Sequence, residues 1–232
     1  MSQVSDGVAL AIPPKAGWPP DDTEESVLGT NLHQATITNV RWGPNEVASL
    51  LAPTEQAPPW QALSQSAISG LQRWDGSSYT VLPDVFVYRQ PIDERRATLN
   101  LELDGPPLLV IEVLSKETFR SDLDLRKGKA FSYAQAGVRE YLLLDPTGEY
   151  LPERVRGAHL GQHGYVRSPS DRQGRWHSRE IAVAIAFEGA RVTVYARDGR
   201  RQLREGEVAR EMARGDAEIA ALQRLLDQQD RK

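Results

Sequence analysis

The chain has 232 residues and a formal net charge of −4, and 40% of its residues are apolar and 26% charged, an ordinary composition for one globular domain with appendages. It contains no cysteine, which excludes disulfides, thiolate zinc sites and cysteine nucleophiles. No apolar run approaches the ~20 residues that span a bilayer, and no basic segment with a long apolar core opens the chain. We therefore expect a cytoplasmic protein without membrane contact.

The two ends of the chain differ from its centre. Residues 1–20 contain four prolines, which predicts an extended, flexible arm. Residues 21–200 are expected to form the folded domain, with its core at 81–146. From 201 to 232 an interrupted apolar stripe predicts a C-terminal helix, either docked on its own domain or paired in a short coiled coil that makes a homodimer.

The first part of the domain gives mixed signals. The acidic residues after Asp21 predict a helix over 21–34, whereas the β-branched residues of 35–42 favour a strand. Residues 52–59 indicate a proline-rich loop, and 60–74 fit either a helix or a strand.

Two short apolar segments each carry one acidic residue. Alternation over 81–88 predicts a strand with Asp84 on the same face as two aromatic residues. The segment 108–114 is apolar on both sides, as in a central strand covered on both faces, and Glu112 lies within it. A carboxylate there is costly to bury unless it is paired, protonated or bound to a cation.

A helix and a further strand follow these segments. Residues 122–136 predict one helix that ends at Gly137, and 141–144 predict a strand parallel to 108–114. Further on, shorter strands joined by turns are expected at 154–158, 164–167, 181–187 and 191–195.

Three lysines are candidates to accompany the carboxylates. Lys116 shares the strand face of Glu112 but lies ~13 Å further along. Lys127 and Lys129 point in nearly opposite directions on the predicted helix, so only one of them can face the sheet. Lys129 is favoured because it stacks with Tyr133, four residues later.

Two carboxylates and a lysine suit phosphodiester hydrolysis. Oxygen ligands prefer Mg²⁺ or Mn²⁺, and Mg²⁺ keeps several waters on such a site. The metal acidifies a bound water, and the ammonium orients that water or stabilises negative charge. The competing interpretation of Glu112 is a structural ion pair with a nearby arginine or lysine. The arginine-rich stretch 154–179 indicates solvated surface charge more than a nucleic-acid patch.

The run from PDVFVYRQP through LLVIEVLSKETFRSDLDLRKGKAFSYAQAGVREYLLLDP resembles the Uma2 family of the PD-(D/E)XK restriction-endonuclease-like superfamily. The resemblance covers about residues 22–200. It implies an α/β or α+β fold with a mixed central sheet flanked by helices. It also implies a Mg²⁺-dependent endonuclease with DNA as its substrate.

The resemblance also assigns residues. Asp84 and Glu112 correspond to metal ligands and, with the lysine, to the catalytic set. The superfamily pattern has its lysine two residues after the glutamate, where this chain has Leu114. Uma2-like proteins resemble the subgroup whose lysine has moved to the next helix, which points to Lys129. Auxiliary candidates on the N-terminal segment are Glu25, the weaker Glu24, and His33.

Two other functions are compatible with the residues. The first is a nuclease-like fold that binds DNA or a partner protein without cleaving, which the acidic net charge and the absent E-x-K spacing favour. The second is a homodimeric interaction module built on the C-terminal helix.

Overall fold

The computed structural model describes residues 33–41, 44–45 and 59–201. The predicted arm at 1–20, most of the helix at 21–34 and nearly all of the C-terminal helix lie outside the described residues. The same holds for most of the proline-rich loop at 52–59.

The secondary structure of the described residues is mostly β. In chain order the strands are β1 (Gln61–Leu63), β2 (Ala67–Gln72), β3 (Ser78–Val81), β4 (Val85–Tyr88), β5 (Thr98–Asn100), β6 (Leu109–Val113), β7 (Glu140–Leu144), β8 (Val155–Gly161), β9 (Gly164–Ser168), β10 (Trp176–His177), β11 (Val183–Glu188) and β12 (Arg191–Ala196). The helices are α1 (residues 33–41), α2 (Leu101–Asp104), α3 (Phe119–Leu123) and α4 (Lys129–Gln135).

A six-stranded mixed sheet lies at the centre, in the order β1-β4-β6-β7-β8-β9. Its two middle strands, β6 and β7, are parallel, as expected, and the other neighbours in this sheet are antiparallel. Two three-stranded sheets accompany it, in the orders β3-β2-β5 and β10-β11-β12.

The central sheet separates two apolar cores. Val85 and Ile111 point to one core, which the β10–β12 sheet and α1 cover, and Phe86 and Val110 point to the other, beneath α3, α4 and β2. The predicted alternation along β4 is confirmed, and so is the covering of β6 on both faces. Since Asp84 and Glu112 have the same parity as Phe86 and Val110, they lie on the α4 side.

The strand predicted at 35–42 is wrong, because residues 33–41 are helical. Val40 is fully buried in the core, and the Thr38 hydroxyl donates to the Gln34 carbonyl at 3.0 Å, one helical turn back. The weak strand preference of β-branched residues is overridden by burial of one helical face. Residues 60–74, left open between helix and strand, contain β1 and β2.

The single helix predicted at 122–136 is also wrong, because it is broken between α3 and α4. The Asp124 carboxylate accepts from the backbone amides of Arg126 and Lys127, at 2.9 and 3.2 Å, and so stabilises a turn. Gly128 follows at the point of closest approach, where a Cβ atom would lie 1.9 Å from the Ser121 carbonyl oxygen.

The other elements predicted within the described residues are confirmed. Gly137 adopts a φ of 84° just after α4, and the later strands appear as β8, β9, β11 and β12. Residues 189–190 form the turn between the last two, since Glu188 pairs with Arg191. The two-residue strand β10 was not predicted, because two residues carry no readable period. No described helix is long and apolar enough to cross a membrane.

Substitution of Gly128 by alanine is expected to destabilise the protein by about 1–3 kcal/mol, because the new methyl group overlaps backbone atoms that cannot rotate away. Urea unfolding of both proteins measures the difference. Gly76→Ala is the control, since Gly76 has a φ of 81° and no atom within 4 Å of the added Cβ. It is expected to cost about 1 kcal/mol from backbone conformation alone. An unchanged stability of Gly128→Ala would show that the helices separate freely.

Candidate active site

Asp84 lies immediately before β4 and is held against β6. Its Oδ2 accepts a hydrogen bond from the Val113 amide at 2.7 Å, which fixes the carboxylate beside the neighbouring strand. Its Oδ1 lies 3.7 Å from Nε2 of His33, so the first residue of α1 also lies beside this carboxylate. The structure therefore brings the auxiliary candidate His33 to the aspartate.

Glu112 is buried near the end of β6, with 1% of its surface exposed. Its Oε2 accepts from Nζ of Lys129 at 2.9 Å, and its Oε1 accepts from the Tyr133 hydroxyl at 2.7 Å. Lys129 and Tyr133 are four residues apart in α4 and share one face of it, as the spacing predicted. Both side chains are therefore aimed at the same carboxylate.

Asp122 is a third acidic side chain in this cluster. Its Oδ1 lies 3.0 Å from Nζ of Lys129, and its backbone carbonyl accepts from the Tyr141 hydroxyl at 3.0 Å. Asp122 is fully buried, and its Oδ2 has no hydrogen-bond partner among the described residues. The sequence indicated only a helix start here. An aspartate on a different helix from the lysine leaves no periodic signal.

The cluster differs from the other buried carboxylates of the described chain. The Asp145 carboxylate accepts hydrogen bonds from four backbone amides of the segment that follows it. One of them is the Leu151 amide, which donates to Oδ2 at 2.7 Å. Glu140 accepts from the Ser178 hydroxyl and from the Arg179 amide. These carboxylates stabilise loops. Glu112 and Asp122 instead share one ammonium group, so the cluster carries excess negative charge.

Burial and this excess charge together perturb the titration of Glu112 and Lys129. The pKa of Glu112 is raised to about 8: burial is the main cause, the carboxylates of Asp122 and Asp84 add to the rise, and Lys129 opposes it. Burial by itself lowers the pKa of Lys129, but the two adjacent carboxylates outweigh it, and the net shift is upward. The lysine therefore stays charged, while Glu112 readily holds a proton.

The other candidates lie away from the cluster or outside the described residues. Lys127 points to the Trp74 ring, with Nζ 4.8 Å from the ring centroid, and Lys116 is exposed beyond the end of β6. Glu24 and Glu25 lie outside the described residues.

The arginine-rich stretch 154–179 is largely engaged within the protein. Arg154 donates to backbone carbonyls, including that of Asp145 at 3.1 Å, and Arg167 pairs with Glu153 at 2.9 Å. These contacts give the arginines structural roles.

The donor set suits a hard divalent cation that keeps most of its waters. Within the described part of the chain, no group of three or more His, Asp or Glu side chains is arranged to hold a metal ion. Asp84 and Glu112 supply two carboxylates, as many as a Mg²⁺ site usually takes from a protein. The unpartnered oxygen of Asp122 shows that the cluster has unused capacity for positive charge.

A mixed sheet with helices packed on it, and an acidic cluster at the centre of that sheet, place the protein among the restriction-endonuclease-like folds. The family model for Uma2, described as "Putative restriction endonuclease", matches residues 56–225. The chain belongs to the Uma2 family. No curated protein matches the sequence significantly.

The stability of the metal-free protein is expected to fall with pH because of Glu112. Its pKa is raised from 4.5 to about 8, so the folded state binds the proton more tightly than the unfolded chain. The resulting stabilisation is fully present below about pH 4.5 and is lost as the pH rises through about 8. The Glu112→Gln variant lacks this contribution.

Urea unfolding of both proteins in EDTA, at several pH values in this range, tests the expectation. The wild-type free energy of unfolding should decrease with pH by a few kcal/mol more than that of Glu112→Gln. Parallel pH profiles would contradict a buried, proton-binding Glu112.

Proposed function

We propose that this protein is a Mg²⁺- or Mn²⁺-dependent endonuclease that hydrolyses DNA phosphodiester bonds at Asp84, Glu112 and Lys129. One observation carries the proposal: the buried carboxylates of Glu112 and Asp122 share a single, partly buried lysine, beside Asp84, on the fold of the Uma2 family. A net negative cluster that is buried and incompletely compensated favours a cation.

Asp84 and Glu112 are the proposed metal ligands. The Val113 amide orients Asp84, and Tyr133 orients Glu112, so neither carboxylate has to be ordered when a cation arrives. When bound, Mg²⁺ supplies a more acidic water and neutralises charge on the phosphate.

Lys129 is the proposed catalytic cation. Its ammonium group carries three donors, and Glu112 and Asp122 take two of them. The third donor is available for a phosphate oxygen or for the attacking water. Asp122 is a positioning residue in this scheme, because it holds the lysine from α3 when Glu112 engages a cation instead.

A binding module without cleavage is the second candidate function. Both oxygens of Glu112 already accept hydrogen bonds from side chains, which is also the arrangement of a structural ion pair. The net charge of −4 gives no general attraction to nucleic acid.

The cytoplasmic location remains a prediction, and so does the homodimer, which would let two sites cut both strands of a duplex.

Glu112→Gln is expected to abolish saturable Mg²⁺ or Mn²⁺ binding and metal-dependent nicking of supercoiled plasmid, because an amide cannot replace the anionic ligand. Calorimetric titration and gel analysis measure the two effects. Glu140→Gln, which changes a buried carboxylate outside the cluster, is the matched control and should retain both. Metal binding and nicking by a folded Glu112→Gln protein would refute the proposed ligand.

Lys129→Met is expected to affect metal binding and DNA cleavage differently. Metal affinity should be kept or increased, because the competing ammonium is removed. The nicking rate should fall by about 100-fold or more, the usual loss when one electrostatic contact to the transition state is deleted. Lys116→Met, which changes an exposed lysine beyond the end of β6, is the control, and its nicking rate per enzyme should be nearly unchanged. Equal rates for wild type and Lys129→Met would reassign the lysine to a structural role.

A further inference from the structure

The turn between β2 and β3 presents an exposed tryptophan. Trp74 is 56% exposed, although tryptophan side chains are on average highly buried. The turn is well ordered by its own bonds. The Arg73 amide donates to the Ser77 carbonyl at 2.9 Å, and Asp75 accepts from the Ser77 amide and hydroxyl at 2.9 and 2.6 Å. The indole is therefore held outward on a defined support.

This turn contacts the segment that leads into α4, the helix that carries Lys129. Nζ of Lys127 is 4.8 Å from the centroid of the Trp74 ring, and Lys127 precedes the proposed catalytic Lys129 by two residues. On the other side of the turn, the Arg73 guanidinium carbon lies 4.4 Å from the centroid of the Tyr79 ring. Tyr79 packs on the same core as Tyr133, so the hairpin is attached to the core beneath Glu112.

The chemistry of the turn matches a nucleic-acid strand. Lys127 places a positive charge over the indole, Arg73 adds a second one from the neighbouring position in the turn, and Asp75 is occupied by hydrogen bonds within the turn. Proteins that bind single strands combine cations along the phosphates with an aromatic ring on which a base stacks. A base inside a duplex is already stacked on both faces, so an exposed indole selects an unpaired one.

We propose that the β2–β3 turn binds an unpaired DNA segment beside the active site, with Trp74 stacked on a base and with Arg73 and Lys127 on its phosphates. The inference rests on the proposed function and specifies its substrate: DNA with single-stranded or locally unpaired nucleotides near the scissile bond. It also provides a local positive charge for DNA on a chain whose net charge is −4.

Fluorescence anisotropy of the full-length protein with a labelled oligodeoxythymidylate, in EDTA so that no cleavage occurs, tests the inference. Trp74→Ala should weaken binding by about tenfold or more, whereas Trp74→Phe should retain most of it. Lys127→Gln should weaken binding and reduce the magnitude of the salt slope by about 0.7. Arg191→Gln, an exposed cation on the sheet over the opposite core, is the charge-matched control and should bind normally.

The outcomes separate this inference from the endonuclease proposal. Trp74-dependent binding supports the inference, whether or not plasmid is nicked. Oligonucleotide binding that is unaffected in Trp74→Ala, or a wild-type protein that binds only the matching duplex, overturns it. In either of those cases, metal-dependent nicking that is lost in Glu112→Gln still supports the endonuclease. Circular dichroism of each variant establishes that the fold is intact.

Discussion

The arrangement of this protein depends on one buried charge, the carboxylate of Glu112 in the most central part of the sheet. A carboxylate at that depth costs several kcal/mol unless cations or donors surround it. The α4 helix answers this requirement with an ammonium group and a phenol, whereas the carboxylate of Asp84, just before β4, adds to the cost. The cost is met only in part, because α3 adds a further carboxylate. An incompletely neutralised centre of this kind is more easily explained by chemistry than by stability.

The break between α3 and α4 makes the cluster possible. In one continuous helix, residues seven apart would lie nearly two turns, about 10 Å, from each other along the axis. Instead, the turn at Asp124 and the close approach of Gly128 to the backbone of α3 fold the two helices together. Oδ1 of Asp122 then lies 3.0 Å from Nζ of Lys129. The glycine is therefore a condition for the site, because a side chain there would separate the two helices.

The central elements could be predicted from the sequence, because local pattern and tertiary environment agree there. The apolar run around Glu112 has no other explanation than a covered strand, and the spacing of Lys129 and Tyr133 identifies the inward face of α4. The sequence pattern gave wrong or incomplete predictions where tertiary contacts determine the secondary structure or the role of a side chain. Burial of Val40 made a helix of residues rich in β-branched side chains. The Asp124 turn interrupted a helical pattern, and the role of Asp122 depends on a contact between two helices that no period encodes.

The lysine and the two proposed metal ligands are supplied by independent parts of the chain. Asp84 and Glu112 are fixed by the register of adjacent strands. Lys129 reaches them from α4, which a short link containing Gly137 joins to β7 of the sheet. A change of length in that link would reposition the cation and leave the carboxylates in place. In this arrangement the length of the link sets the position of the proposed catalytic cation, whereas strand register sets the positions of the two carboxylates.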